Sequence, residues 1–217
     1  MILTGGIGIL PTMFVEKDLI DGEFPEFFRS LGLIYRERSE VREPRVSGYD
    51  WSLSPYALAN AVEFTDLTSR YGQKLRGGYL APLHLRFLRV DIGWGVFATS
   101  DLEAGDLLGE YAGVIQGLTD AAAGDLIDGH YLSDYSWNYP DELPDGTAFE
   151  VNAFQEGNLL RFVNHSSKPN STVDHTLVDG LFVTFFRVTE TIPSGTQVFV
   201  DYGEEYWSGG FRTLVGL

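Results

Sequence analysis

The stretch "STVDHTLVDGLFVTFFRV", residues 171–188, leaves the chain little conformational choice. Two β-rich runs flank Asp179-Gly180, a dipeptide suited to the two-residue turn whose twist matches paired strands. An antiparallel hairpin is predicted there. From about residue 82 onward the same texture recurs. "LHLRFLRV" alternates, "DIGWG" turns, and "VFAT" runs on. "DLLGEYAGVI" reads as a strand whose glycines mark close backbone approach, and "IPSG" turns the chain into "TQVFVDYG". Many short strands with brief helices predict a mainly β domain over residues 82–207, closed by a tail at 208–217. Residues 1–81 read as a helical or mixed flanking region. "FPEFFRSLG" predicts one short helix. "SPYALANAVEFTDLTSRYG" predicts a longer one, capped by Ser54, with Pro55 at its first position and Gly72 at its end. Phe64, Leu67 and Tyr71 recur at helical spacing, as a packing face would.

Composition narrows the function classes. The 217 residues are 44 % hydrophobic and 21 % charged, enough for a folded core and too apolar for disorder. Cysteine is absent, which excludes disulfides, thiol nucleophiles and cysteine-ligated zinc. "MILTGGIGIL" is too short to cross a bilayer and carries no basic leader, so a soluble intracellular protein with no membrane partner is expected. The net charge is −16, and no Lys or Arg occurs between Val90 and Leu160. Such a surface disfavours direct nucleic-acid binding and suits a basic partner, although solubility alone also explains it.

One polar run interrupts the apolar texture: "RFVNHSSKPN", residues 161–170. A Ser–His hydrolase is a poor reading. His165 and Ser166 are neighbours on an extended chain and point apart, and no G-x-S-x-G elbow occurs. His84, His130, His165 and His175 lack metal-ligand spacing, so no metal is expected. Taken alone, the run reads as a turn whose Asn and Ser side chains bond the local backbone.

It does not stand alone. Gly93-Trp94-Gly95, Tyr111-Ala112-Gly113, Arg161 through Asn170, and Gly195 through Tyr202 follow in order. In this respect the chain resembles the SET-domain protein lysine methyltransferases, whose signatures are G-x-G, Y-x-G, R-F-x-N-H-S-x-x-P-N and G-E-E-L-x-x-D-Y. The resemblance covers roughly residues 82–207. It implies a fold of small sheets with a C-terminal segment threaded into a pseudoknot. The implied activity is methyl transfer from S-adenosylmethionine to a lysine ε-amine in a basic peptide such as a histone tail. A catalytically silent binding module of the same fold and a methyltransferase of a non-histone protein stand as alternatives.

By that resemblance, Gly93, Trp94 and Gly95 cradle the cofactor through their backbone. Asn164 and His165 hold it through polar contacts, with Arg161 assisting and Tyr131 touching it. Tyr202 is the implied catalytic tyrosine, and Tyr111 lines the lysine channel and bonds the amine. Phe162 and Val200 complete the channel, where valine leaves room for more than one methyl. Trp207 covers the adenine or, equally, caps the C-terminal end. Many family members add a cysteine-rich zinc segment. This chain has none, so Tyr206, Trp207 and Phe211 are expected to close the site. The acidic span from Asp120 to Glu156 is expected to face the substrate.

Overall fold

The structure is a computed structural model describing residues 18–20, 22–90, 92–118, 126–127 and 130–208. The predicted hairpin forms from Ser171–Val178 and Leu181–Val188. Its turn residues Asp179 and Gly180 both take positive φ, 53° and 83°, as this turn type demands. Leu107–Glu110 adds a third antiparallel strand along the second arm, with a register shift between Phe186 and Arg187. A second hairpin, Leu83–Arg89 with Gly93–Ala98, carries the G-x-G run within its return strand.

The "DLLGEYAGVI" run is two strands rather than one. After Glu110 the chain passes Tyr111, Ala112 and Gly113 and enters a different sheet as Val114–Gly117. That sheet is ordered Glu40–Val41, Val114–Gly117, Phe149–Asn152, Ser136–Asn138. Gly113 marks the transfer. A Cβ there would lie 2.7 Å from the Asn152 carbonyl oxygen and 3.0 Å from the Ala153 nitrogen, so two backbones meet where no other residue fits. Leu126–Ile127 and His130–Tyr131 form a separate small pair.

Two short parallel pairs knit distant parts of the chain. Ile34–Tyr35 runs beside Glu156–Gly157, and Asn164–His165 beside Phe199–Val200. The second is the crossing. Between its strands the chain makes the whole central hairpin, then returns through the 164–171 loop. Ser166 N–H donates to the Val200 carbonyl at 3.0 Å on one side. On the other, Asn170 Nδ2 donates to the Gln197 carbonyl at 2.8 Å, while its Oδ1 accepts from Phe199 N–H at 2.8 Å. Ser171 Oγ closes the loop by donating to the Phe199 carbonyl at 2.7 Å.

The described part of the N-terminal region is woven into this core. The helix Phe24–Ser30 buries Phe24, Phe27 and Phe28. Phe27 meets the Trp94 ring at 4.7 Å, and Phe28 meets Phe162 at 5.8 Å. Fully burying side chains of this size is worth about 1.5–3 kcal/mol each. Trp51 is fully buried among Tyr139, Phe149 and Phe182, with its indole N–H on the Val46 carbonyl at 2.8 Å. Residues 18–81 and the domain after them therefore share one hydrophobic core.

The long helix departs from expectation in two ways. Ser54 caps it, accepting from Ala57 N–H, but Pro55–Ala59 stops at Asn60 and a second helix, Ala61–Arg76, follows. This second helix also runs through Gly72. Tyr71 and fully buried Leu75 continue its packing face, and burying Leu75 outweighs the cost of about 1 kcal/mol for an interior glycine.

Candidate active site

The crossing delivers Tyr202 to a fixed position. Its backbone N–H donates to His165 Nδ1 at 3.2 Å, and its hydroxyl donates to the Val163 carbonyl at 2.7 Å. Because Nδ1 accepts, the proton of the neutral ring sits on Nε2. Asn164 Nδ2 donates to the Trp94 carbonyl at 3.1 Å and ties the G-x-G strand to the same crossing. Both polar side chains of the "NH" pair thus brace the protein itself.

Tyr111 comes from the opposite direction, at the transfer between sheets. Its hydroxyl donates to the Tyr135 carbonyl at 2.7 Å. Its ring stacks on Phe186 at 5.5 Å, and Trp137 meets the rings of both Phe186 and Tyr202 edge-on. Tyr111, Trp137, Arg161, Phe186, Tyr202 and Tyr206 line a pocket of about 380 Å³. Asp134, His175 and Glu204 also line it. Burial pushes the phenols of Tyr111 and Tyr202 well above the usual tyrosine range. Both remain neutral, so they orient and donate rather than act as bases. Burial also pushes the His175 imidazole down to about 4, leaving it neutral near pH 7.

The other sequence candidates divide. Trp207 lies over the crossing, 5.0 Å from the His165 ring and stacked on Tyr202 at 6.3 Å, with Tyr206 against both Tyr202 and Trp207. Gly93 takes φ 80°, which explains that glycine, and a Cβ on Gly95 would lie 2.7 Å from Gln197 Nε2. The Trp94 side chain turns inward to Phe27 and Phe87. Phe162 packs on Phe27 and Phe28, in the core rather than on the pocket's lining. Val200 is fully buried and pairs with His165 in the crossing. Arg161 commits its guanidinium to the Ala153 and Phe154 carbonyls at 2.8 and 3.0 Å. Tyr131 belongs to a short strand, but its side chain lies outside the described residues, as does Phe211.

Sequence reasoning missed Tyr135, Trp137, Phe186 and His175. Phe186 and His175 face each other's strands within the predicted hairpin, but nothing local distinguishes them from core. Tyr135 and Trp137 stand in the aromatic run "YLSDYSWNY", the one signal that could have found them. Among the described residues there is no His, Asp or Glu cluster fit for a metal, and no helix long and apolar enough to cross a membrane.

Comparison with known proteins agrees with this geometry. The family pattern described as SET domain matches residues 93–203. Histone-lysine N-methyltransferase EHMT1 of Mus musculus is 30 % identical over 137 residues, 61 % of this chain and 10 % of that protein. The Homo sapiens EHMT1 is 31 % identical over the same length. Histone-lysine N-methyltransferase MEDEA of Arabidopsis thaliana is 31 % identical over 122 residues, 54 % of this chain and 17 % of its own. The chain thus spans a small part of the curated relatives it matches. A solved structure of ATXR5 in complex with histone H3.1 superposes with a TM-score of 0.57 at 15 % identity, covering 84 % of this chain and 86 % of that one, a likeness of fold. Ordered motifs, crossing and matched pattern converge on one conclusion: the chain belongs to the SET domain family.

Proposed function

We propose that this chain is an S-adenosylmethionine-dependent protein lysine N-methyltransferase acting on a lysine within a basic peptide, with histone tails as the first candidates. The observation that carries this reading is the pair of neutral phenols, Tyr111 and Tyr202, anchored on the Tyr135 and Val163 carbonyls and facing one aromatic pocket beside the crossing. The kinship with histone-lysine methyltransferases supports the reaction class.

The residues suit the implied cofactor. Carbonyl oxygens and ring faces favour a sulfonium without a carboxylate, and the His165–Trp207 corner offers flat surfaces for an adenine. Asn164 and His165 would define that site by fixing Trp94 and Tyr202. S-adenosylmethionine, when bound, would supply an electrophilic methyl on a neutral thioether leaving group. Tyr111, Trp137 and Phe186 would accept the apolar stem of lysine and keep water from the amine. The amine enters after its proton has passed to solvent. Tyr202 and Tyr111 would hold that amine so that its lone pair faces the methyl in line. Asp134 and Glu204 suit the cationic residues of a basic peptide.

The test is incubation of the full chain with methyl-labelled cofactor and a lysine-peptide library that includes histone tails. Label on lysine ε-nitrogen is expected, with basic flanks preferred. Calorimetric binding of the cofactor without any transfer would identify a silent module, and no binding at all would reject the reading.

A further inference from the structure

The pocket that holds the two phenols is also lined by a buried cation. Arg161 is 9 % exposed. Its donors go to the Ala153 and Phe154 carbonyls, and its guanidinium lies 3.9 Å over the Tyr135 ring and 4.7 Å over Phe162. Carbonyls and ring faces satisfy a guanidinium without neutralising it. Among the described residues no carboxylate forms an ion pair with it. An arginine so placed stays charged, and its field is poorly screened.

The remaining charges around the pocket are arranged differently. Asp134 is half-buried and Glu204 exposed, so water screens both. Buried Glu150 also acts on Tyr111, but more weakly than Arg161, and it takes bonds from Gln116 and Asn152. Burial keeps Tyr111, Tyr135 and Tyr202 neutral, His175 is neutral near pH 7, and Tyr206 adds a further phenol to the lining.

We infer that Arg161 sets the charge of the substrate: its unpaired positive charge inside the pocket holds the lysine amine in the neutral, nucleophilic form, while the more exposed Asp134 and Glu204 of the same lining attract the ammonium on its way in. The inference rests on the lysine methyltransferase reading. The ammonium N–H breaks to water on entry, and the freed lone pair is the one that attacks the methyl. This differs from the cofactor contact implied by the motif.

The experiment is the pH profile of kcat, with saturating peptide and cofactor, for the wild-type chain, Arg161→Met and Arg161→Lys. A unit charge in the same pocket, at an effective dielectric near 20, is worth on the order of one pKa unit. Arg161→Met is expected to move the rising limb about one pH unit toward alkaline, losing about tenfold below the limb and recovering above it. Arg161→Lys keeps the charge and should keep the limb in place. A superimposable Arg161→Met limb, an equal loss at every pH, or an equal displacement in Arg161→Lys overturns the inference. Should the methionine variant fail to fold, the wild-type chain with S-adenosylhomocysteine and a peptide carrying 13Cε-lysine supplies the answer. That cofactor product carries no sulfonium charge, so a bound amine titrating at or above its ordinary value of about 10.4 rejects the role. A wild-type chain that methylates nothing sinks the functional reading and this one together, whereas an active chain with an unmoved limb sinks this one alone.

Discussion

Replacing Asn170 by alanine should weaken the crossing more than any other single truncation in the decapeptide. The side-chain amide, 8 % exposed, receives Phe199 N–H and donates to the Gln197 carbonyl, each at 2.8 Å. Alanine removes both partners at once and leaves a part-buried N–H and C=O without a bond. Each unsatisfied group costs about 1–3 kcal/mol, so the expected loss is about 2–5 kcal/mol. For a chain of this size that corresponds to a fall in Tm of about 5–15 °C. Thermal unfolding by circular dichroism reads it, and hydrogen exchange should show faster loss of the Phe199 amide. Asn170→Asp refines the test. Its carboxylate still accepts from Phe199 but opposes the Gln197 carbonyl, so its folded pKa rises above the ordinary value of about 3.9. The penalty is full above that raised pKa and shrinks as acidification restores a donor, so the variant should close on wild type in relative stability as pH falls. An Asn170→Ala protein melting within about 2 °C of wild type, with an equally protected Phe199 amide, would refute the idea that this amide holds the crossing.

Gly113→Ala should destabilise by about 1–3 kcal/mol or more, since the new methyl meets backbone that cannot swing away, whereas Gly117→Ala, with nothing within 4 Å of its Cβ position, should fall within about 0.5 kcal/mol of wild type; urea midpoints separate the two. Tyr202→Phe should lower kcat by about 10²-fold and stability by about 1–3 kcal/mol, with little change in cofactor affinity, as measured by single-turnover kinetics, thermal unfolding and calorimetry, because the hydroxyl that donates to the buried Val163 carbonyl is lost and the ring stays. His175 has a folded pKa of about 4 against an ordinary 6.5, so the unfolded chain binds its proton first and stability falls as pH drops through that window while remaining full above it. Between pH 7 and pH 5 this contributes a loss of about 2 kcal/mol, which His175→Asn should remove from the difference between urea titrations at the two pH values.

The parts of this fold written locally were legible. Asp179-Gly180 demanded its turn and Ser54 and Pro55 announced a helix start, while the crossing was implied only by the family resemblance that the four ordered motifs carry. What stayed hidden depends on partners far along the chain. The glycines of "DLLGEYAGVI" read as marks of close backbone approach, but which backbone Gly113 meets, the Asn152 carbonyl 2.7 Å from where its Cβ would be, is not written locally. Phe162, assigned to the channel from its neighbours in the motif, packs instead on Phe27 and Phe28, which stand in the N-terminal region. Trp137 and Phe186 look like ordinary strand residues, and only the meeting of two sheets makes them walls of a pocket. Residues 1–81 read as a helical or mixed flanking region from their local texture alone. Glu156 accepts from Arg36 at 2.6 Å and Arg42 at 2.7 Å, contacts between that flank and the later strands that no local pattern announces.

The polarity of "RFVNHSSKPN" has a mechanical explanation that is compatible with catalysis. A parallel pair of two residues per strand makes too few ladder bonds to hold itself together. A longer strand would supply more, but the returning chain must pass through the 164–171 loop and then stop at Tyr202. Side chains therefore take over the ladder's work. Asn164 reaches Trp94, His165 reaches the Tyr202 amide, Asn170 reaches both Gln197 and Phe199, and Ser171 reaches Phe199. Each bond is between a side chain of the 164–171 loop and the main chain of a remote segment, so none depends on a neighbour's rotamer. The result is a tyrosine whose backbone and hydroxyl are both tethered, in a pocket whose geometry must be held to a fraction of an ångström for a methyl to move in line. The same polar residues that make the run look like a ligand site thus fix the phenol from which the proposed chemistry starts.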